Sequence, residues 1–152
     1  MREDSIYNLL HTDHETVSGL FQQMESAEDA ATRERLLGQL KEELLVHSQA
    51  EDLVFYRPLK DSAESRDLIL EAEEEHRVVA RVLGELERLS AENERWAARL
   101  TVLKELVEHH VEEEEGEIFT KARSLLDRTQ ERELGTAFLQ QKKVVLAELR
   151  KG

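Results

Sequence analysis

The sequence predicts an all-α fold, an up-down-up-down four-helix bundle followed by a short additional C-terminal helix. Apolar residues recur at spacings of three and four through most of the chain, which is the helical period. Turn punctuation is sparse, with 6 Gly and 1 Pro in 152 residues, as long helices with short links require. No segment shows the alternating pattern of a strand. Residues 1–152 read as a single domain, with the bundle at about 4–127 and the extra helix at about 129–150.

The first helix is expected over residues 4–25 with Asp4 as its N-cap, and Leu10, Val17, Phe21 and Met24 make one stripe along it. A small polar loop, 26–32, leads to a second helix over 33–56, with Leu36, Leu40, Leu44 and Val54 on one face. Pro58 ends it, because the residue before a proline is pushed out of the helical region. A connection at 60–65, with Ser62 or Ser65 as the cap, precedes a third helix over 67–89 that carries Leu68, Ala72, Val79, Leu83 and Leu86. After a tight turn at 90–93, the fourth helix spans 94–126 with Leu100, Leu103, Val107 and Ile118, and Trp96 near its start reads as core or interface. The acid run at 112–117 lies within this helix and mostly faces outward. The fifth segment, 129–149, shows Leu134, Phe138 and Val145, and either packs back on the bundle or serves docking or dimerisation. The chain is expected as a monomer or homodimer.

Composition excludes several classes of function. Cys is absent, so there is no disulfide framework, thiolate metal site or Cys nucleophile. The net charge of −13 argues against nucleic acid and anionic membrane surfaces, and solvated helix faces account for most of it. The polar start, Met1-Arg2-Glu3-Asp4, does not resemble a signal peptide, and no apolar run approaches membrane length. A cytoplasmic setting is the expectation.

The 6 histidines carry the chemistry. Spacing alone does not sort them, because glutamate is so abundant that His-x-x-x-Glu pairs arise at His11, His47, His109 and His110 alike. Helical phase does. His14 lies in the stripe of Leu10, Val17 and Phe21; His47 and Glu51 in that of Leu40, Leu44 and Val54; His76 in that of Leu68, Ala72, Val79 and Leu83; His110 and Glu114 in that of Leu103, Val107 and Ile118. Each bundle helix thus turns one His inward, and two add a Glu one turn later. His109 shares its face with Glu105, Glu112 and Gly116 and reads as solvated; His11 sits at the edge of its stripe, and Glu15 and Glu113 fall outside. Two carboxylates in an apolar bundle, with no Lys or Arg in the same stripes, must protonate or find cations. Two metal ions held by imidazoles and bridged by the carboxylates meet that need. The axial levels agree with alternating helices: early in the first and third, late in the second and fourth.

On Leu10-His11-Thr12-Asp13-His14-Glu15, His47-Ser48-Gln49-Ala50-Glu51-Asp52-Leu53-Val54-Phe55-Tyr56-Arg57-Pro58, Glu73-Glu74-Glu75-His76 and His110-Val111-Glu112-Glu113-Glu114-Glu115, the chain resembles the hemerythrin-like, or HHE cation-binding, family over about residues 5–120. The resemblance implies a non-heme di-iron centre that binds oxygen or related small molecules, with His14, His47, Glu51, His76, His110 and Glu114 as ligands and Glu51 and Glu114 bridging. Oxygen-carrying members place a second His one turn after the first on the third helix, where this chain has Ala80, and an Asp at the position of Glu115. The shortfall resembles the HHE-type subgroup, in which oxygen carriage is not the assumed role. Glu114 is preferred on the fourth helix because it matches Glu51 on the second, each followed five residues later by an aromatic, Phe119 and Tyr56. Glu115, or His109 paired with Glu114, is the alternative. A ferritin-like site, which needs Glu-x-x-His on two helices, fails, since only Glu73 and His76 fit.

Glu73 and His11 are candidates for an extra ligand or an outer hydrogen-bond partner. Tyr56 either hydrogen-bonds into the site or, more simply, packs with its hydroxyl at the surface. Six protein ligands leave two octahedral irons open, so dioxygen, nitric oxide or hydrogen peroxide is the expected partner. Manganese and zinc suit the same donors. A peroxide-decomposing or oxidase-like di-iron enzyme and a docking bundle with structural metal are the competing readings.

Overall fold

The computed structural model describes residues 5–151. Helix α1 spans Ile6–Ser26. Asp4 lies outside the described residues; the cap there is Ser5, whose hydroxyl accepts from the Asn8 N–H. Helix α2 spans Ala30–Val54 and starts earlier than expected because Asp29 caps it, accepting from the Thr32 N–H at 3.1 Å. Pro58 has no N–H to offer the Val54 carbonyl, so the ladder lapses at Phe55 and one further turn, α3, runs Tyr56–Lys60. Helix α4 spans Arg66–Glu87. Ser65 stands at its cap position, but its hydroxyl donates to the Leu59 carbonyl at 2.5 Å instead of capping.

The expected fourth helix is interrupted. Helix α5, Trp96–Glu113, passes into a π turn at Glu114–Ile118 and resumes as α6, Phe119–Leu125. Helix α7, Arg128–Lys151, reaches 24 residues, as long as the bundle helices, and packs back against α2 and α1. Among the described residues there is no strand, and no helix is long and apolar enough to cross a membrane.

Helices α1, α2, α4 and α5 form the bundle, with α1 against α2, α2 against α4, α4 against α5 and α5 against α1. The core falls into two apolar blocks. One contains Phe21, Met24, Leu40, Leu83, Trp96 and Leu103; the other contains Leu10, Phe55, Ile69, Ile118, Phe119 and Phe138. On every bundle helix the inward histidine falls between the two blocks. Burying a side chain of this size contributes roughly 1.5–3 kcal/mol, so both blocks are strong cohesive elements that clamp a polar layer between them. On α4 Ala72, Val79, Leu83 and Leu86 are buried as expected, and only the first position differs, with Ile69 fully buried and Leu68 half-buried. Trp96 is core, with the Arg33 guanidinium 5.2 Å from its ring centre.

Candidate metal centre

The polar layer brings together all six side chains expected there: His14 from α1, His47 and Glu51 from α2, His76 from α4, His110 from α5 and Glu114 from the π turn. All are buried, and both carboxylates have no exposure at all. They fall into two sets of three, His14 with His47 and Glu114, and Glu51 with His76 and His110. Within each set the three donor atoms lie within 4.8 Å of one another. Each carboxylate also reaches across. Glu51 Oε1 is 3.2 Å from His76 Nε2 and 3.4 Å from His47 Nε2. Glu114 places Oε1 3.0 Å from His14 Nε2 and Oε2 3.8 Å from His110 Nε2.

Every one of these imidazoles points Nε2 inward and ties Nδ1 to a carboxylate. His47 bonds Asp13 at 2.8 Å, His76 bonds Asp52 at 2.9 Å, His110 bonds Glu75 at 2.6 Å and His14 bonds Glu115 at 2.6 Å. Each acceptor is the chain neighbour of an inner residue on one helix and serves the histidine of the next. The four bonds therefore run α1 to α2 to α4 to α5 and, from the π turn that follows α5, back to α1, a closed ring around the layer. A side chain one position off the inward stripe points about 100° away, toward the adjacent helix, which is why these neighbours can serve. Sequence reasoning missed Asp13, Asp52 and Glu75 and gave Glu115 a different role. The signal was an acid immediately beside each inward residue, masked by the abundance of acids.

The electrostatics are those of a layer built for cations. Burial and the charge of Glu51 raise the Glu114 carboxyl above its ordinary value. Burial acts the same way on Glu51, but the charge of His47 and the hydrogen bonds of Glu114, His47 and His76 together outweigh it and hold that carboxyl well below the ordinary value. Burial lowers His47 and His76, yet Glu51 and the outer carboxylates, Asp13 and Asp52, overcome it and raise each to about 10. His14 Nε2, His47 Nε2, both oxygens of Glu51 and Oε1 of Glu114 are buried without hydrogen-bond partners among the described residues. Buried charges left so are costly. Two donors each about 2.1 Å from one ion, at right angles to each other, stand about 3 Å apart. The carboxylate-to-imidazole spacings of 3.0–3.8 Å are near that separation, so this donor set fits two metal ions with small side-chain shifts.

The remaining candidates separate clearly. The Tyr56 hydroxyl is buried within the layer, not at the surface: it donates to Glu114 Oε2 and lies 3.3 Å from His110 Nε2, while its ring stacks on His76 at 5.3 Å. Burial and the charges of Glu114 and Glu51 push its pKa well above the ordinary value, so the proton stays on the hydroxyl. Glu73 faces away, paired with Lys60 at 2.8 Å, and Asp52 holds the place beside His76. His11 is exposed and shares Glu115 with His14, at 2.9 Å. His109 is exposed and pairs with Glu113 at 3.4 Å. Glu115 bonds His14 from outside the layer.

Residues 5–122 match the family described as hemerythrin HHE cation binding domain. The fold matches the crystal structure of a hemerythrin HHE cation-binding-domain protein from Mycobacterium kansasii, with a TM-score of 0.84 and 24% identity over 95% of this chain and 88% of that one. A curated relative, a DNA nickase of Nostoc sp., is 26% identical over 137 residues, 88% of this chain. The chain spans 38% of that relative's length.

Proposed function

This chain belongs to the hemerythrin HHE cation-binding family, and from that premise we propose that it carries a di-metal centre, with iron as the metal, that binds dioxygen, nitric oxide or peroxide. His14, His47 and Glu114 would hold one ion and Glu51, His76 and His110 the other, with Glu51 and Glu114 the carboxylates placed near donors of both sets. The observation that carries this reading is the convergence of two donor triads in a buried layer while the other nitrogen of every imidazole is tied to a carboxylate. Iron at such donors supplies open coordination positions and an electron to the small molecule.

The protein's own groups do the rest. The outer carboxylates orient the rings, and Tyr56 holds a proton at Glu114 Oε2. A cavity of about 250 Å³ between α1 and α5, lined by His14, Val17, Phe21, Val107 and Val111 together with the exposed Ser18, Glu108 and Glu112, offers an approach suited to a small molecule. The nickase activity named for the Nostoc protein is no part of this reading, because a net charge of −13 repels a phosphate backbone.

Metal analysis of protein made in iron-supplemented cells, with a visible spectrum before and after nitric oxide, tests it. The expected result is close to two irons per chain and bands that change with nitric oxide. Metal content well below one per chain, or bands indifferent to nitric oxide, dioxygen and peroxide alike, would overturn it. Manganese or zinc at the same donors would give the stoichiometry without the bands. The buried proton of Tyr56 beside the donors favours a second reading, a peroxide-decomposing enzyme. That reading requires oxygen evolution from peroxide at many turnovers per iron.

A further inference from the structure

One member of the ring of outer carboxylates is paired with a lysine. Lys142 of α7 places Nζ 2.8 Å from both oxygens of Asp13, whose Oδ2 accepts from His47 Nδ1. Among the described residues, Asp13 is the only one of the four acceptors that a lysine or arginine touches. Phe138, one turn before Lys142, fills the gap between: its ring meets His47 edge-on at 5.8 Å, and the ammonium lies 5.4 Å from its centre. Asp13 is 7 % exposed and Phe138 fully buried, so the lysine charge acts on His47 through little water. Helix α7 lies beyond the residues that match the family.

We propose that Lys142 makes the two metal positions unequal, so that the ion held by His14, His47 and Glu114 is bound more weakly than the ion held by Glu51, His76 and His110. A carboxylate that accepts an imidazole N–H pushes electron density onto the ring and strengthens its other nitrogen as a ligand. An ammonium seated on both oxygens of that carboxylate draws the density back, and its own charge opposes a cation nearby. Asp52 and Glu75 keep their full effect on His76 and His110, while Glu115 divides its effect between His14 and the exposed His11. Lys142 is a positioning residue that acts through Asp13 and touches no metal.

This inference rests on the di-metal reading, and one experiment separates the two. Protein loaded anaerobically with ferrous ion is titrated with a competing chelator, and the two ions are followed as they leave. His47→Gln and His76→Gln variants assign each step, the first abolishing the weak step and the second the tight one. Mutual repulsion of the ions produces two steps in any case, so the diagnostic is the response to Lys142. In Lys142→Met and Lys142→Gln the weak step should tighten on the order of tenfold, the lower end of what outer partners exert on metal affinity, while the tight step stays in place. Lys142→Arg, which keeps the charge, should restore the original gap. An unchanged gap in the Met and Gln variants, equal loss in Arg, or a weak step that belongs to the Glu51 triad would overturn the inference and leave the di-metal centre standing. Failure to take up ferrous ion at all would overturn the di-metal reading itself.

Discussion

Glu51 and Glu114 are two carboxylates at zero exposure, close enough that each alters the other's affinity for a proton. In the stripped chain Glu51 is the charged partner of His47 and His76, and removing one member of a buried charge set is strongly destabilising. Glu51→Gln should therefore cost the chelator-stripped protein about 3–5 kcal/mol, while lowering its metal content from about two ions per chain to one or none; thermal melts with and without metal, beside metal analysis, check both. Tyr56→Phe removes the hydroxyl that donates to Glu114 Oε2. The metal-loaded variant should lose about 1–3 kcal/mol in urea unfolding, the usual cost of an unsatisfied buried acceptor, while keeping its metal. At this scale the inward histidines were legible because phase along one helix is a local property. The hydroxyl of Tyr56 was not, since whether it meets water or a carboxylate depends on a helix 58 residues away in sequence.

Helices explain why the six donors stay in register. Between the apolar blocks each bundle helix contributes one turn of polar residues, and on α5 that turn runs into a π turn beginning at Glu114. Single π turns accompany functional sites because they re-aim side chains without ending the helix. Here Glu114 faces the layer while the next residue, Glu115, reaches back to His14 on α1. Nothing in the spacing of the fourth helix betrayed the turn, since Val107, His110, Glu114 and Ile118 fit an uninterrupted α-helix on paper. Gly38 offers a clean test of helix energetics away from the site. A Cβ there meets nothing within 4 Å, so Gly38→Ala should stabilise α2 by about 0.5–1 kcal/mol, read as a rise in urea midpoint with metal content unchanged. Phe138→Ala should cost about 3–5 kcal/mol by emptying the α7 interface, and it should expose His47 to solvent, detectable as faster exchange of its ring proton by NMR.

Across the molecule, protons and metal ions compete for the same nitrogens, which gives the stripped and loaded forms opposite responses to pH. His47 and His76 are held at about 10 in the metal-free chain, against 6.5 ordinarily. A folded-state value above the unfolded one contributes stability that is complete below pH 6.5 and is lost as pH rises through about 10. The stripped protein should thus melt at a lower temperature at pH 8 than at pH 6. Metal binding needs neutral imidazoles, so its affinity, and the gap in melting temperature between loaded and stripped protein, should widen over the same interval. A loaded-minus-stripped difference that narrows from pH 6 to pH 8 would contradict this.

What the amino-acid order determined by itself is the helical class, the inward face of each bundle helix, and the presence on those faces of four histidines and two glutamates. Those properties follow from a period of 3.6 residues and the cost of burying charge, both readable along one helix at a time. Only the tertiary structure decided which residues act together: His14 with His47 and Glu114 from three separate elements, each imidazole with an acid on the neighbouring helix, and Lys142 of α7 with Asp13 of α1. Periodicity assigns a residue to a face. The height at which two faces meet, and the neighbour that stands opposite, are set by how the apolar blocks pack.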